Sequence, residues 1–127
     1  MKLNHDCVRD LLIHIEEHLT YGFYMEIAAV ELKNYSTEEL HYAADKLLEA
    51  NYLIGNKRSS IGAALPDIRI TSISWEGHQF LDNIRDDGVW KDTQNVLSKF
   101  SSVSLSFVGN IASQVITSLV QKQLGLQ

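Results

Sequence analysis

The chain is short of several things, and each shortage excludes something. Its 127 residues hold one cysteine, Cys7, so no disulfide can form within the chain, and a reducing compartment is expected. One proline and seven glycines leave little material for long flexible linkers. Eleven Lys and Arg against sixteen Asp and Glu give a net charge of −5, which disfavours a general polyanion binder. The opening Met1-Lys2-Leu3-Asn4-His5-Asp6 lacks an apolar signal-peptide core, so a cytoplasmic location is expected. Residues 100–121 carry no charge at all, yet about half of them are Ser, Thr, Asn, Gln or Gly, too polar for a membrane span. No Ser/His/Asp order, nucleophile elbow or phosphate-binding glycine loop occurs, so neither catalysis nor a cofactor is expected.

Two features of residues 1–20 invite a chemical reading. Cys7 stands near the start of the first expected helix, where the helix dipole favours a thiolate, but no partner motif accompanies it. His14-Ile15-Glu16-Glu17-His18 matches the H-x-x-E-H pattern of inverted zinc peptidases, with both histidines on one helical face. A further ligand from another helix would be needed, and no motif places one. The solvated flank of an amphipathic helix accounts for the same residues, so no metal site is assigned.

What is present is a well-punctuated series of elements. Asn4 caps a helix whose Val8, Leu11, Leu12, Ile15 and Leu19 form one apolar stripe, ending near Thr20-Tyr21-Gly22. An extended segment is expected near residues 24–27. Ser36-Thr37-Glu38-Glu39 is a capping box, with Tyr35 and Leu40 spaced for a hydrophobic staple, and it opens a helix over 37–50. Asn51, a residue that tolerates left-handed backbone, stops that helix. A strand starts at Tyr52-Leu53-Ile54, a basic hairpin tip follows over 55–66, and Asp67-Ile68-Arg69-Ile70 returns. Its alternation loses phase between Ile70 and Ile73, which predicts a bulge or the strand's end. Ser74 caps a helix carrying Phe80, Leu81 and Ile84, which Asp86-Asp87-Gly88 is expected to close. Trp90, Thr93, Leu97 and Phe100 share the spacing of a further helix, with Trp90 as its anchor. Leu105, Val108, Ile111, Ala112, Val115, Ile116 and Leu119 fall on one face of a final uncharged helix.

This order predicts an α+β fold: a winged-helix-like core over residues 1–88 and a helical arm over 89–127 that packs back or dimerises. In such a core the 37–50 helix would stand in the DNA-reading position. Its charges, Glu38, Glu39, Asp45 and Glu49 against Lys46, have the wrong sign for lying on phosphates. That acidic face suits a protein partner instead. The wing is basic, and Lys57, Arg58 and Arg69 would be the contacts if DNA is bound; solvated edge protection is the favoured account, because three basic residues make a weak electrostatic footprint. Leu105, Val108, Ile111, Val115 and Leu119 are the residues expected to form a homodimer contact, with no membrane partner.

Two runs carry a resemblance: Tyr42-Ala43-Ala44-Asp45-Lys46-Leu47-Leu48-Glu49-Ala50-Asn51-Tyr52-Leu53, and Trp75-Glu76-Gly77-His78 with the following Phe80-Leu81-Asp82, Ile84-Arg85-Asp86 and Val89-Trp90. With the opening helix, they resemble a family of small uncharacterised proteins, a domain of unknown function found in Gram-positive bacteria and their phages and prophages. Asn51 departs from the Gly common there, and both suit a helix stop. The resemblance implies a winged-helix-like core with a C-terminal helical extension and brings no catalytic residues. The expected function is therefore a non-enzymatic accessory or regulatory protein acting through protein–protein interaction, the alternative being a DNA-binding regulator that uses its wing.

Overall fold

The computed structural model describes residues 1–125. It is mixed α+β, with five α-helices and one three-stranded antiparallel sheet among the described residues. The elements are α1 (His5–His18), β1 (Met25–Glu26) running into a 3-10 turn (Ile27–Ala29), α2 (Thr37–Glu49), β2 (Leu53–Arg58), β3 (Asp67–Ile73), α3 (Trp75–Ile84), α4 (Asp87–Leu97) and α5 (Leu105–Gln123). Two compact units divide the chain, Met1–Gln79 and Phe80–Gln127. No helix is long and apolar enough to cross a membrane, among the described residues.

The first unit is organised by two linked helix caps. Asn4 accepts from the Cys7 amide at 3.1 Å and donates to Glu39 at 3.2 Å. Glu39 completes the capping box, accepting from the Ser36 amide at 3.2 Å, while its own amide donates to Ser36 Oγ at 3.1 Å. The N-termini of α1 and α2 are thereby fastened to each other. Behind them Val8, Leu11, Leu12 and Ile15 of α1 are buried, as are Leu40, Ala43, Ala44 and Leu47 of α2. Leu53 of β2 with Ile68 and Ile70 of β3 supply the sheet's share of this core. The hydroxyl of Tyr35, the residue placed for a staple, donates to Asp10 at 2.7 Å.

The sheet has the order β1-β3-β2, and β3 is its centre. Its register steps from Ile54↔Ser72 to Gly55↔Ile70, which leaves Thr71 as the extra residue of a bulge. That is where the apolar alternation loses phase, and Thr71 Oγ1 donates across to the Ile54 carbonyl at 3.1 Å. Asn51 adopts φ 61°, and the Tyr52 amide reaches back to Leu47 at 2.9 Å to finish α2. Ser74 caps α3 through the Gly77 amide at 3.0 Å. A Cβ at Gly77 would sit on the Tyr52 carbonyl oxygen, so glycine is required at this close approach.

In the second unit Phe80, Leu81 and Ile84 of α3 are buried, as are Val89, Trp90 and Thr93 of α4. Thr93 has no exposed surface, and its hydroxyl donates to the Val89 carbonyl at 2.7 Å. Asp86-Asp87-Gly88 was expected to close α3, but it opens α4 instead. Asp86 accepts from the Val89 amide at 2.9 Å as the N-cap, and Asp87 and Gly88 are helical. The ambiguity is physical, because acidic residues favour helix starts and Gly favours helix ends. On α5, Val108, Gly109 and Ala112 are buried, and a Cβ on Gly109 would approach the Phe80 ring at 3.1 Å.

Candidate functional site

The β2–β3 hairpin brings the expected basic residues together and then neutralises most of them. Lys57 Nζ lies 3.1 and 3.3 Å from the two Asp45 oxygens of α2. Arg69 Nε lies 3.1 Å from Glu26 on β1 and 3.8 Å from Asp67, and its guanidinium stands 4.9 Å above the Tyr24 ring. Arg58 is exposed, pairs in register with Asp67 across the hairpin, and makes no ion pair among the described residues. Counted along residues 55–70 the hairpin is basic. In space Asp45 and Glu26 join Asp67, so three carboxylates meet two of the three cations and Arg58 is left over.

The acidic face of α2 is likewise partly committed. Glu39 is held in the capping box, and hydrogen bonds from the Ser36 amide and then Asn4 keep its carboxyl below the usual carboxylate range. Glu49 pairs with Lys46 at 2.6 Å, which raises the Lys46 ammonium above its ordinary value. Asp45 takes Lys57. Glu38 makes no ion pair among the described residues. It stands on an open groove of about 350 Å³, lined by Met1, His41, Tyr42 and Asp45 on one side and Ala64, Leu65 and Pro66 on the other. Two of its members are fixed, with His41 Nδ1 2.8 Å from the Thr37 carbonyl and Tyr42 donating to the Met1 carbonyl at 3.2 Å. The groove thus has largely apolar walls, with Glu38 at its rim as the carboxylate that no ion pair takes up among the described residues.

On α5 the expected dimer contact needs correction. Val108 is fully buried within its own chain and is unavailable to a second copy. Leu105, Ile111 and Val115 are half-buried. Leu119 is 45% exposed, and Val120 and Leu124, absent from the expected set, are 49% and 67% exposed. The accessible apolar surface therefore lies at Leu119, Val120 and the following Leu124, and at Phe107 in the first turn of the helix.

Neither chemical reading of residues 1–20 gains a site. Cys7 is buried and its thiol donates to the Glu39 carbonyl at 3.7 Å. Burial, with smaller contributions from Glu39 and Asp10, pushes that thiol up to about 12, which overrides the helix dipole and keeps it protonated. His14 and His18 stack at 4.3 Å, and His18 Nδ1 lies 2.9 Å from the His14 carbonyl. No group of three or more His, Cys, Asp or Glu residues that could hold a metal occurs among the described residues. Sequence reasoning passed over the turn between α1 and β1, where Tyr21, Phe23 and Tyr24 are exposed. Its signal was three aromatics in four residues around a glycine, outside any apolar stripe.

A family model described as Hypothetical protein (DUF2513) matches residues 2–104. An uncharacterized protein from Haemophilus influenzae (strain ATCC 51907 / DSM 11121 / KW20 / Rd) is 26% identical over 128 residues, covering 94% of this chain and 99% of the relative. No solved structure matches the chain.

Proposed function

We propose that this chain, which belongs to the DUF2513 family, is a non-enzymatic accessory or regulatory protein that works by binding another protein. The observation carrying this reading is the groove between α2 and residues 64–66, whose apolar walls and carboxylate rim suit a peptide segment more than a phosphate backbone. Order of elements supports a winged-helix-like scaffold for it: helix, strand, helix, two-stranded hairpin, helix. In this reading the protein is cytoplasmic, in keeping with its single cysteine, and of phage or prophage type, as its resemblance implies. A homodimer forms through Leu119, Val120 and Leu124, whose exposed apolar side chains call for cover and have Lys122 as the one charge among them.

DNA binding through the hairpin is the second reading, favoured by the exposed and unpaired Arg58. With Lys57 and Arg69 already facing carboxylates, binding duplex DNA would require breaking those pairs. The choice is tested by titrating labelled duplex DNA with the full chain at low salt. No binding is expected. Salt-dependent binding that weakens in Arg58→Ala would replace the protein-binding reading with the DNA one.

A further inference from the structure

The turn between α1 and β1 exposes more aromatic surface than any stretch of similar length in the first unit. Tyr21 is 96% exposed, Phe23 68% and Tyr24 54%. Gly22 adopts φ 91° with open space where a Cβ would be, so the glycine serves the backbone conformation and not a close contact. The Phe23 amide closes the turn on the Thr20 carbonyl at 3.0 Å, so the rings are presented on a hydrogen-bonded loop. Open grooves of about 450 and 360 Å³ flank it, the first lined by Phe23, Tyr24 and His14, the second by Tyr21, Thr71 and His78. Exposed aromatics beside concave surface are the usual anchors of protein interfaces.

Charge selects the occupant. Residues 14–26, which supply most of the lining of the two grooves, contain three carboxylates, Glu16, Glu17 and Glu26, and no Lys or Arg. Glu26 already faces Arg69, and Glu16 lies 4.0 Å from His78 Nδ1. The protein itself shows how the surface treats a cation: Arg69 stands 4.9 Å over the Tyr24 ring while its Nε meets Glu26 at 3.1 Å. The Tyr21 and Phe23 rings have no Lys or Arg over them among the described residues. We propose that the 21–24 turn docks a partner-protein segment presenting arginine or lysine side chains, the cations lying on the Tyr21 and Phe23 rings within the field of these carboxylates. A cation over an aromatic face is attracted by the ring quadrupole, and nearby carboxylates add to that attraction. This surface is separate from the α2 groove and does not depend on it.

The test uses the full chain, isotopically labelled, titrated by NMR with a capped hexapeptide carrying arginine at alternate positions and with its glutamate counterpart. Arginine peptide is expected to move amide signals of residues 14–26 and the glutamate peptide to move none. Tyr21→Ser with Phe23→Ser, both solvent-facing changes, should weaken binding about tenfold or more while leaving the remaining spectrum in place. Glu38→Gln should leave it unchanged, which separates this site from the α2 groove. The proposal is overturned by shifts centred on residues 38–45, by unchanged affinity in the double variant, or by equal binding of the glutamate peptide. A doubled mass that reverts in the double variant would also overturn it, by assigning the turn to a second copy.

Discussion

Glu39 closes a cap, accepts from a second cap and receives the Cys7 thiol at its carbonyl, so much local chemistry passes through one residue. Because hydrogen bonds hold its carboxyl below the usual range, its contribution is present above the ordinary carboxylate pKa and is lost as pH falls through the lowered value. Glu39→Gln should therefore flatten the acid limb of a stability-against-pH curve. His14 is also lowered, by burial and by the neighbouring His18. Its unfolded form takes up a proton at a higher pH than its folded form, so stability falls as pH drops below the ordinary imidazole value. Denaturant melts of His14→Gln should show a shallower fall across that window. For Cys7, a thiol pushed up to about 12 predicts no alkylation by iodoacetamide at pH 8 in the native protein and complete alkylation in denaturant, read by mass.

At the scale of elements, local rules explain most of what forms. Ser36→Ala removes the oxygen that accepts from the Glu39 amide and should lower the unfolding free energy by about 1 kcal/mol in a denaturant melt. Gly77→Ala forces a methyl onto the Tyr52 carbonyl and should cost about 2 kcal/mol or more. The capping box, the left-handed Asn51, the bulge near Ile70 and the Ser74 cap were all legible in sequence, because each depends on residues within a few positions. Charge pairing across the hairpin was not legible. Lys57 looks free until α2 brings Asp45 beside it, and Arg69 looks free until β1 pairs with β3 and delivers Glu26. The start of α4 was misread for another reason: Asp86 can cap a helix, and only the Val89 amide shows which helix it serves.

At the scale of the whole molecule, α5 has two roles along its length. Val108, Gly109 and Ala112 are buried in the second unit, while Leu119, Val120 and Leu124 remain exposed. A periodicity argument ranks all apolar positions on that face alike, so burial alone could separate the two groups. Removing the chain after Lys99 should therefore lower thermal stability, because it strips Val108 and Ala112 from a packed core. Replacing Leu119, Val120 and Leu124 with serine should leave the fold intact and reduce a dimer to the monomer mass in solution.

In the proposed function the α2 groove, and not the hairpin, meets the partner, and that partner is a protein. Photo-crosslinking tests it most directly, with a photoreactive residue placed at position 38 or at position 58 of the full chain in cells of its native host. A discrete protein adduct at position 38 and none at position 58 is the predicted result. Nucleic acid captured at position 58, with nothing at position 38, would contradict it.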